Sequence, residues 1–226
     1  MDLRRQQFNR ALKWAGLLFV GFLIVTQQVI TNGPLIHLDA IIFNAHRPKL
    51  NSFQRVILMR IDNLGLRGVT ATILFITAFF TARRFKSWRP LNLAVLAVLA
   101  LNLVVGLAKL GVGRTKPRLN VDLVYAGGLS YPSGHASNAI LTWGVLAYIL
   151  YRYSHPDAWH PRAMGFLAGA FALGVTIVSA FRNTHWLSDL LGGLFIGGAL
   201  LVMVIAVDRF VPSEKQISLL MALALM

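Results

Sequence analysis

The sequence predicts an all-α polytopic membrane protein, with about six transmembrane helices in one bundle, on three observations. Of its 226 residues, 56% are hydrophobic and only 13% are charged, whereas a soluble domain carries about a quarter charged residues. Mean hydropathy is +0.63. The apolar residues are also gathered into blocks instead of amphipathic stripes, and blocks of about 17 to 25 residues are what a hydrocarbon core of roughly 30 Å requires of a helix. The length bounds residues 1–226 to a single membrane domain, with no room for a large soluble one.

The blocks fall at Leu12–Ile30, Leu66–Ala82, Leu91–Leu110, Ala136–Tyr151, Ala163–Phe181 and Leu187–Val207. A basic leader, Met1 to Lys13, precedes the first and superficially suggests a signal peptide. The apolar stretch is longer than such a peptide's core, and no small-x-small cleavage site follows, so a retained spanning helix is expected. A long loop comes next. Its segment Phe53–Gly68, where Val56 to Met59 are flanked by Arg55 and Arg60, suits either a short interfacial helix or an unstructured loop. The later connections are a basic loop (Arg83, Arg84, Lys86, Arg89), a loop of about 25 residues holding Pro117 and Pro132, a polar turn around Ser154–Pro161, and a tight turn near Arg182–Trp186.

Charge is lopsided, with 22 Lys and Arg against 8 Asp and Glu, a formal +14. On a soluble protein this would suggest nucleic acid. On a membrane protein it reads as basic loops facing anionic headgroups, and no nucleic-acid partner is expected. With the N-terminus inside, twelve of the basic residues lie on the cytoplasmic side and ten outside. Several of the ten sit in the motifs below, and discounting them restores the positive-inside bias. The expected topology is a multi-pass protein of the cell membrane with both termini cytoplasmic and the third and fifth loops outside. The chain has no cysteine, so disulfide and thiolate chemistry are excluded. Nothing in it bears on oligomeric state.

Ionisable residues at membrane depth are costly, so where they gather is informative. Three clusters are expected on one face of the membrane. The first has Lys109, Arg114, Lys116 and Arg118 within ten residues, Gly111 and Gly113 between them, and Pro117 ending any helix. Lys109 and Lys116 are seven apart, on one face if the helix persists to Thr115. Cations without a neighbouring acid suit an anion such as phosphate, although a basic patch snorkelling to headgroups would look the same. The second cluster, Tyr131-Pro132-Ser133-Gly134-His135, precedes the fourth block. Ser133 is a good N-cap, Gly134 allows a ligand close to the backbone, and free amides at a helix start attract anions. His135 stands beside them, where it could donate a proton; an ordinary capped helix with an interfacial His is the alternative. The third runs from Arg182 through His185 to Asp189. The last two are four apart and adjacent on a helix, so the carboxylate can fix the imidazole tautomer as a nucleophile or base requires. His and Asp at this spacing also occur in metal sites, but two His and one Asp among many cations hold a divalent ion poorly. Neither metal nor cofactor is expected.

Taken together, the order Lys109…Lys116-Pro117, then Pro132-Ser133-Gly134-His135, then Arg182…His185-x3-Asp189 resembles the three-part signature of the type 2 phosphatidic acid phosphatase superfamily, which shares its site with vanadium haloperoxidases. The resemblance covers about residues 90–207 by motif. It implies a metal-independent lipid phosphatase in which His185 attacks phosphorus, Asp189 orients it, and a phosphohistidine forms. His135 would protonate the leaving oxygen, while Lys109, Lys116, Ser133, Gly134 and Arg182 hold the phosphoryl oxygens. The implied partner is a lipid phosphate within the bilayer, and the small size with a basic N-terminus suggests a bacterium. The family's substrates include phosphatidate, phosphatidylglycerophosphate, polyprenyl diphosphates and lipid A phosphates. A lipid phosphotransferase, or a non-catalytic lipid transporter or binding protein, are the alternatives on the same scaffold.

Two positions depart from the family pattern. Lys116 stands where the family has Arg, which keeps the charge and loses the planar fork. Ser179 stands where the family has an Arg six residues before the nucleophile, and the only nearby guanidinium is Arg182. Either the turn is about three residues shorter, with Arg182 taking over the clamp, or the phosphate loses one contact.

Overall fold

Each of the six apolar blocks folds as a helix, because in a hydrocarbon solvent every backbone N–H and C=O must be satisfied within its own segment. A computed structural model describes residues 3–153 and 160–211. Among these are α1 (Leu3–Ile30), α2 (Pro34–Asn44), α3 (Ser52–Asn63), α4 (Arg67–Phe85), α5 (Arg89–Val112), α6 (Gly134–Tyr153), α7 (Pro161–Phe181) and α8 (Leu187–Phe210), with one 3₁₀ turn at Pro117–Leu119 and no strand. The expected polar turn falls largely on residues 154–159, outside the described residues, as do Asp157 and Lys215.

By length and hydropathy α1, α5, α7 and α8 each suffice to cross a membrane, and α3 with α4 qualifies as one span bent by 57°. The expected number of six is therefore approximate. The segment that suits either an interfacial helix or a loop is helical. Asn51 caps α3 by accepting from the Gln54 amide, and Gln54 returns the bond to the Asn51 amide. The first loop also holds α2, an 11-residue apolar helix with Pro34 in its first turn, which the block pattern does not anticipate.

The outer surface is apolar. Leu99, Leu103, Leu107 and Leu110 of α5 are all more than 60% exposed and recur at helical spacing, as residues facing acyl chains do. Lipid is as apolar as leucine, so helix association here depends on close packing and polar contacts instead of the hydrophobic effect. The central helix α8 packs against α1, α6, α5, α2 and α7. Its glycines permit the approach to α6. A Cβ on Gly193 would lie 2.6 Å from the Ser133 carbonyl, and one on Gly197 would lie 2.6 Å from that of Ser137.

The two ends of the bundle are polar in different ways. Where α5 begins and α8 ends, Arg89 Nε meets Asp208 Oδ1 at 2.6 Å and the Tyr148 hydroxyl donates to Asp208 Oδ2 at 2.6 Å. Arg89 Nη2 also donates to the Val211 carbonyl at 2.9 Å, so this cation closes the C-terminus of α8. At the other end the starts of α4, α6 and α8 meet the end of α5, and the three charged motifs come together there.

Candidate active site

The end of α5 differs from the sequence expectation. The helix stops at Val112, Gly113 takes the left-handed conformation (φ 57°), and the seven-residue helical spacing of Lys109 and Lys116 is broken. Both lysines nevertheless line one cleft of about 510 Å³, together with Gly65, Leu66, Arg67, Gly68, Val69, Leu129, Gly134, His135 and His185. The turn after Gly113 carries Lys116 back toward Lys109. The Lys109 ammonium donates to the carbonyls of Leu129 at 2.5 Å and Ser130 at 3.4 Å, which ties it to the loop leading into the second motif.

Ser133 caps α6 as expected: its Oγ accepts from the Ala136 amide at 3.3 Å. Its own amide donates to the Asp189 carbonyl at 2.8 Å, so the second and third motifs are joined through the backbone. Ser133 is fully buried behind the cleft, while Gly134 and His135 line it.

Asp189, with no exposed surface, is the organising acid. Its Oδ2 accepts from the Trp186 amide at 3.2 Å and from the Ser130 hydroxyl, and lies 3.4 Å from His185 Nδ1. Its Oδ1 accepts from Arg114 Nη1 at 2.9 Å. With Nδ1 engaged by the carboxylate, Nε2 is the His185 nitrogen left for chemistry in the cleft. The His135 ring stands 5.5 Å from that of His185, centroid to centroid, at 60°. Two imidazoles thus face one cation-lined cleft, one of them backed by a carboxylate.

Two sequence expectations are corrected by this geometry. Arg114 does not belong with cations lacking a neighbouring acid: it is wholly buried and meets three carboxylates. Nε and Nη2 bond Asp122 at 2.7 and 2.6 Å, Nη2 also reaches Asp39 at 2.7 Å, and Nη1 bonds Ser188 at 2.6 Å as well as Asp189. All five guanidinium hydrogens therefore have acceptors. Asp39 also receives the Ser188 amide at 2.8 Å, which fastens α2 to the start of α8. Sequence reasoning misses both Asp39 and Asp122. The signal it could use is Asp39, an isolated acid in an apolar helix, which at membrane depth marks a paired site.

The second correction concerns Arg182. It is not among the residues lining the cleft; its Nη1 instead lies 2.5 Å from Asp62 Oδ2. Ser179, fully buried at the family's Arg position, donates to the other oxygen of Asp62. Alongside, Arg47 donates to the Ile42 carbonyl at 2.7 Å, the Ala180 carbonyl at 3.3 Å and the Asn183 side chain at 2.8 Å, capping α2 and α7 together. The turn is held by α2 and α3, and the Arg182 guanidinium is directed to Asp62.

A helical membrane scaffold with paired histidines, a buried carboxylate and converging cations at one end defines the class, and comparison with known proteins places the chain within it. Residues 90–211 match the PAP2 superfamily, and the chain belongs to that family. It is 27% identical over 202 residues to phosphatidylglycerophosphatase B of Bacillus subtilis (strain 168), covering 88% of this chain and 97% of the relative. It also has the fold of a transmembrane PAP2-type phosphatidylglycerolphosphate phosphatase from Bacillus subtilis known from a crystal structure. That match has a TM-score of 0.78 at 24% identity and covers 88% of this chain and 98% of that one.

Proposed function

We propose that the chain is a metal-independent lipid phosphate phosphatase that works through a phosphohistidine. The observation that carries this reading is the His185–Asp189 pair, at 3.4 Å, in a cleft lined by Lys109, Lys116, Arg67, His135 and the Gly134 backbone. In the first step the Nε2 lone pair of His185 forms an N–P bond as the P–O ester bond breaks. The departing oxygen takes a proton from His135, and Asp189 stabilises the developing imidazolium. In the second, neutral His135 accepts a proton from water, the hydroxide oxygen bonds to phosphorus, and the N–P electron pair returns to His185 as phosphate leaves. The cations and the first amides of α6 hold the phosphoryl oxygens through both steps. A lining rich in cations and without carboxylates supports charge stabilisation without a divalent ion.

Leu66, Val69 and Leu129 complete the cleft, so one end of the substrate meets apolar side chains while the other meets cations. A phosphomonoester or diphosphate on a lipid fits both. Similarity to a phosphatidylglycerophosphatase favours phosphatidylglycerophosphate among such lipids, with phosphatidate and polyprenyl diphosphates as the comparison. The test is release of inorganic phosphate by the purified chain from each of the three lipids in mixed micelles. Release should persist after exhaustive EDTA treatment, and vanadate should inhibit it by mimicking five-coordinate phosphorus. A strict requirement for magnesium or zinc would remove the metal-free mechanism.

The reading also puts the cleft on the extracytoplasmic face, with both termini in the cytoplasm. Ser87 and Asn120 bracket α5, so they mark its two ends. Single cysteines introduced near Asn120 and Asn183 of this cysteine-free chain should react with an impermeant thiol reagent on intact cells, and one near Ser87 should not. Labelling at Ser87 alone would turn the cleft to the cytoplasm and exclude external lipid substrates.

A further inference from the structure

The cleft has a third cation that no signature motif contains. Arg67 is the first residue of α4, directly after the bend that separates α3 from α4. That bend is fitted closely to the site. A Cβ on Gly65 would lie 3.2 Å from both Cβ and the carbonyl oxygen of His135, and 2.6 Å from Val175 Cγ1, so only glycine permits this approach. From α6, Asn138 Nδ2 donates to the Gly65 carbonyl at 2.9 Å and to Thr70 Oγ1 at 2.6 Å, and Trp143 Nε1 donates to the Leu64 carbonyl at 3.0 Å. The start of α4 is therefore held to the same helix that carries Gly134 and His135.

This fixing brings like charges together. Arg67 Nη2 lies 3.7 Å, and Lys109 Cε 3.9 Å, from the point where a Cβ on Gly134 would stand. The Lys109 ammonium is attracted by Asp189 and repelled by both Arg67 and Lys116. Among the described residues no carboxylate pairs with Arg67 or Lys116, and none lines the cleft. Arg67 and Lys116, cleft-lining cations with no paired carboxylate, are balanced when an anion enters beside the start of α6. Arg182 is held at Asp62 through Nη1 and is not among the residues lining the cleft. Arg67 does line it and can offer a planar fork there.

We propose that Arg67 is a phosphate-binding residue of this site, clamping the phosphoryl group against the Gly134 amide in the role that the family resemblance offers to Arg182. The proposal rests on the lipid phosphatase reading for the identity of the ligand. It extends the site to α4, a helix outside the three motifs, and makes the α3–α4 bend the element that sets the clamp's position.

The experiment measures binding of orthovanadate to the purified full-length protein in detergent by isothermal titration calorimetry, with thermal unfolding as a check on folding. Arg67→Ala should weaken vanadate binding by about 10- to 100-fold, the effect of losing one charge-assisted hydrogen-bonding group. Arg67→Lys should recover part of the loss, because the charge returns without the fork. A merely structural role would lower the unfolding temperature without this graded recovery. If Arg67→Ala does not fold, Arg67→Lys and Arg67→Gln carry the comparison, with Gln the weaker binder. Vanadate affinity within twofold of wild type in folded Arg67→Ala, or a larger loss in Arg182→Ala than in Arg67→Ala, would overturn the assignment. Phosphate release by the wild type and by His185→Ala judges the phosphatase reading separately. If release fails while vanadate binding still depends on Arg67, the clamp stands and the reading falls.

Discussion

Purified His185→Ala is expected to fold, to remain in the membrane, and to lose phosphate release by about four orders of magnitude or more, as removal of a covalent nucleophile does. The side chain is nearly buried and contributes one 3.4 Å contact to Asp189, so its removal leaves the remaining bonds of Asp189 to Arg114, Ser130 and Trp186 in place. Asp189→Asn should behave differently. One of its oxygens accepts from Trp186 N and the Ser130 hydroxyl, and the other accepts from Arg114. An amide nitrogen in either position faces a donor, so a moderate loss of stability should accompany a rate loss on the order of 10³- to 10⁴-fold. His135→Ala should be impaired less for substrates whose leaving group needs no proton. The measurements are inorganic phosphate release and acid-labile incorporation of label from a labelled lipid phosphate. Near-normal release by folded His185→Ala would falsify the nucleophile assignment, and label retained by that variant would point to another residue.

The long helices are legible in the sequence because hydropathy and length are local properties, and each expected block lies within a helix save for Leu66, the N-cap of α4. The signature motifs are legible for the same reason: Ser133, Gly134, His135, His185 and Asp189 lie in short stretches, and the caps and spacings that place them span at most one helical turn. Charge pairing is not legible. Arg114 lies 75 residues from both Asp39 and Asp189, and Arg182 lies 120 from Asp62. Asp122, eight residues from Arg114, is the one partner within its sequence neighbourhood, and nothing local to Arg182 distinguishes a buried partner from a bound phosphate. The same limit hides Arg67, whose local sequence is only a basic residue after a Leu-Gly-Leu bend. Lys109 and Lys116 reach the cleft for a reason other than helical period: the chain turns at Gly113, and the loop carbonyls of Leu129 and Ser130 hold Lys109.

Arg114→Met is expected to destabilise the protein more than any single substitution in the cleft itself. Arg114 has no exposed side-chain surface, and neither do Asp39 and Asp189. Removing the cation leaves two buried carboxylates without their counter-ion, which costs about 3–5 kcal/mol for a broken buried pair. Its five N–H groups bond four side chains drawn from α2, α8 and the loop after α5, and its guanidinium lies 5.4 Å from the centre of the Trp186 ring. Arg114→Lys should recover only part of the loss, since an ammonium has three donors and no planar fork. Because Asp189 holds His185, both variants should also lose turnover, in proportion to the disorder of the carboxylate. A double substitution separates charge from packing. Asp39→Asn placed in the Arg114→Met background should regain stability, because it removes one uncompensated charge, whereas Asp39→Asn alone should destabilise the otherwise intact cluster. Thermal unfolding in detergent, across the four combinations, measures the coupling. Additive effects of the two substitutions would mean that Asp39 and Arg114 contribute independently, and the buried cluster would then not be the tie that joins α2 to the catalytic end of α8.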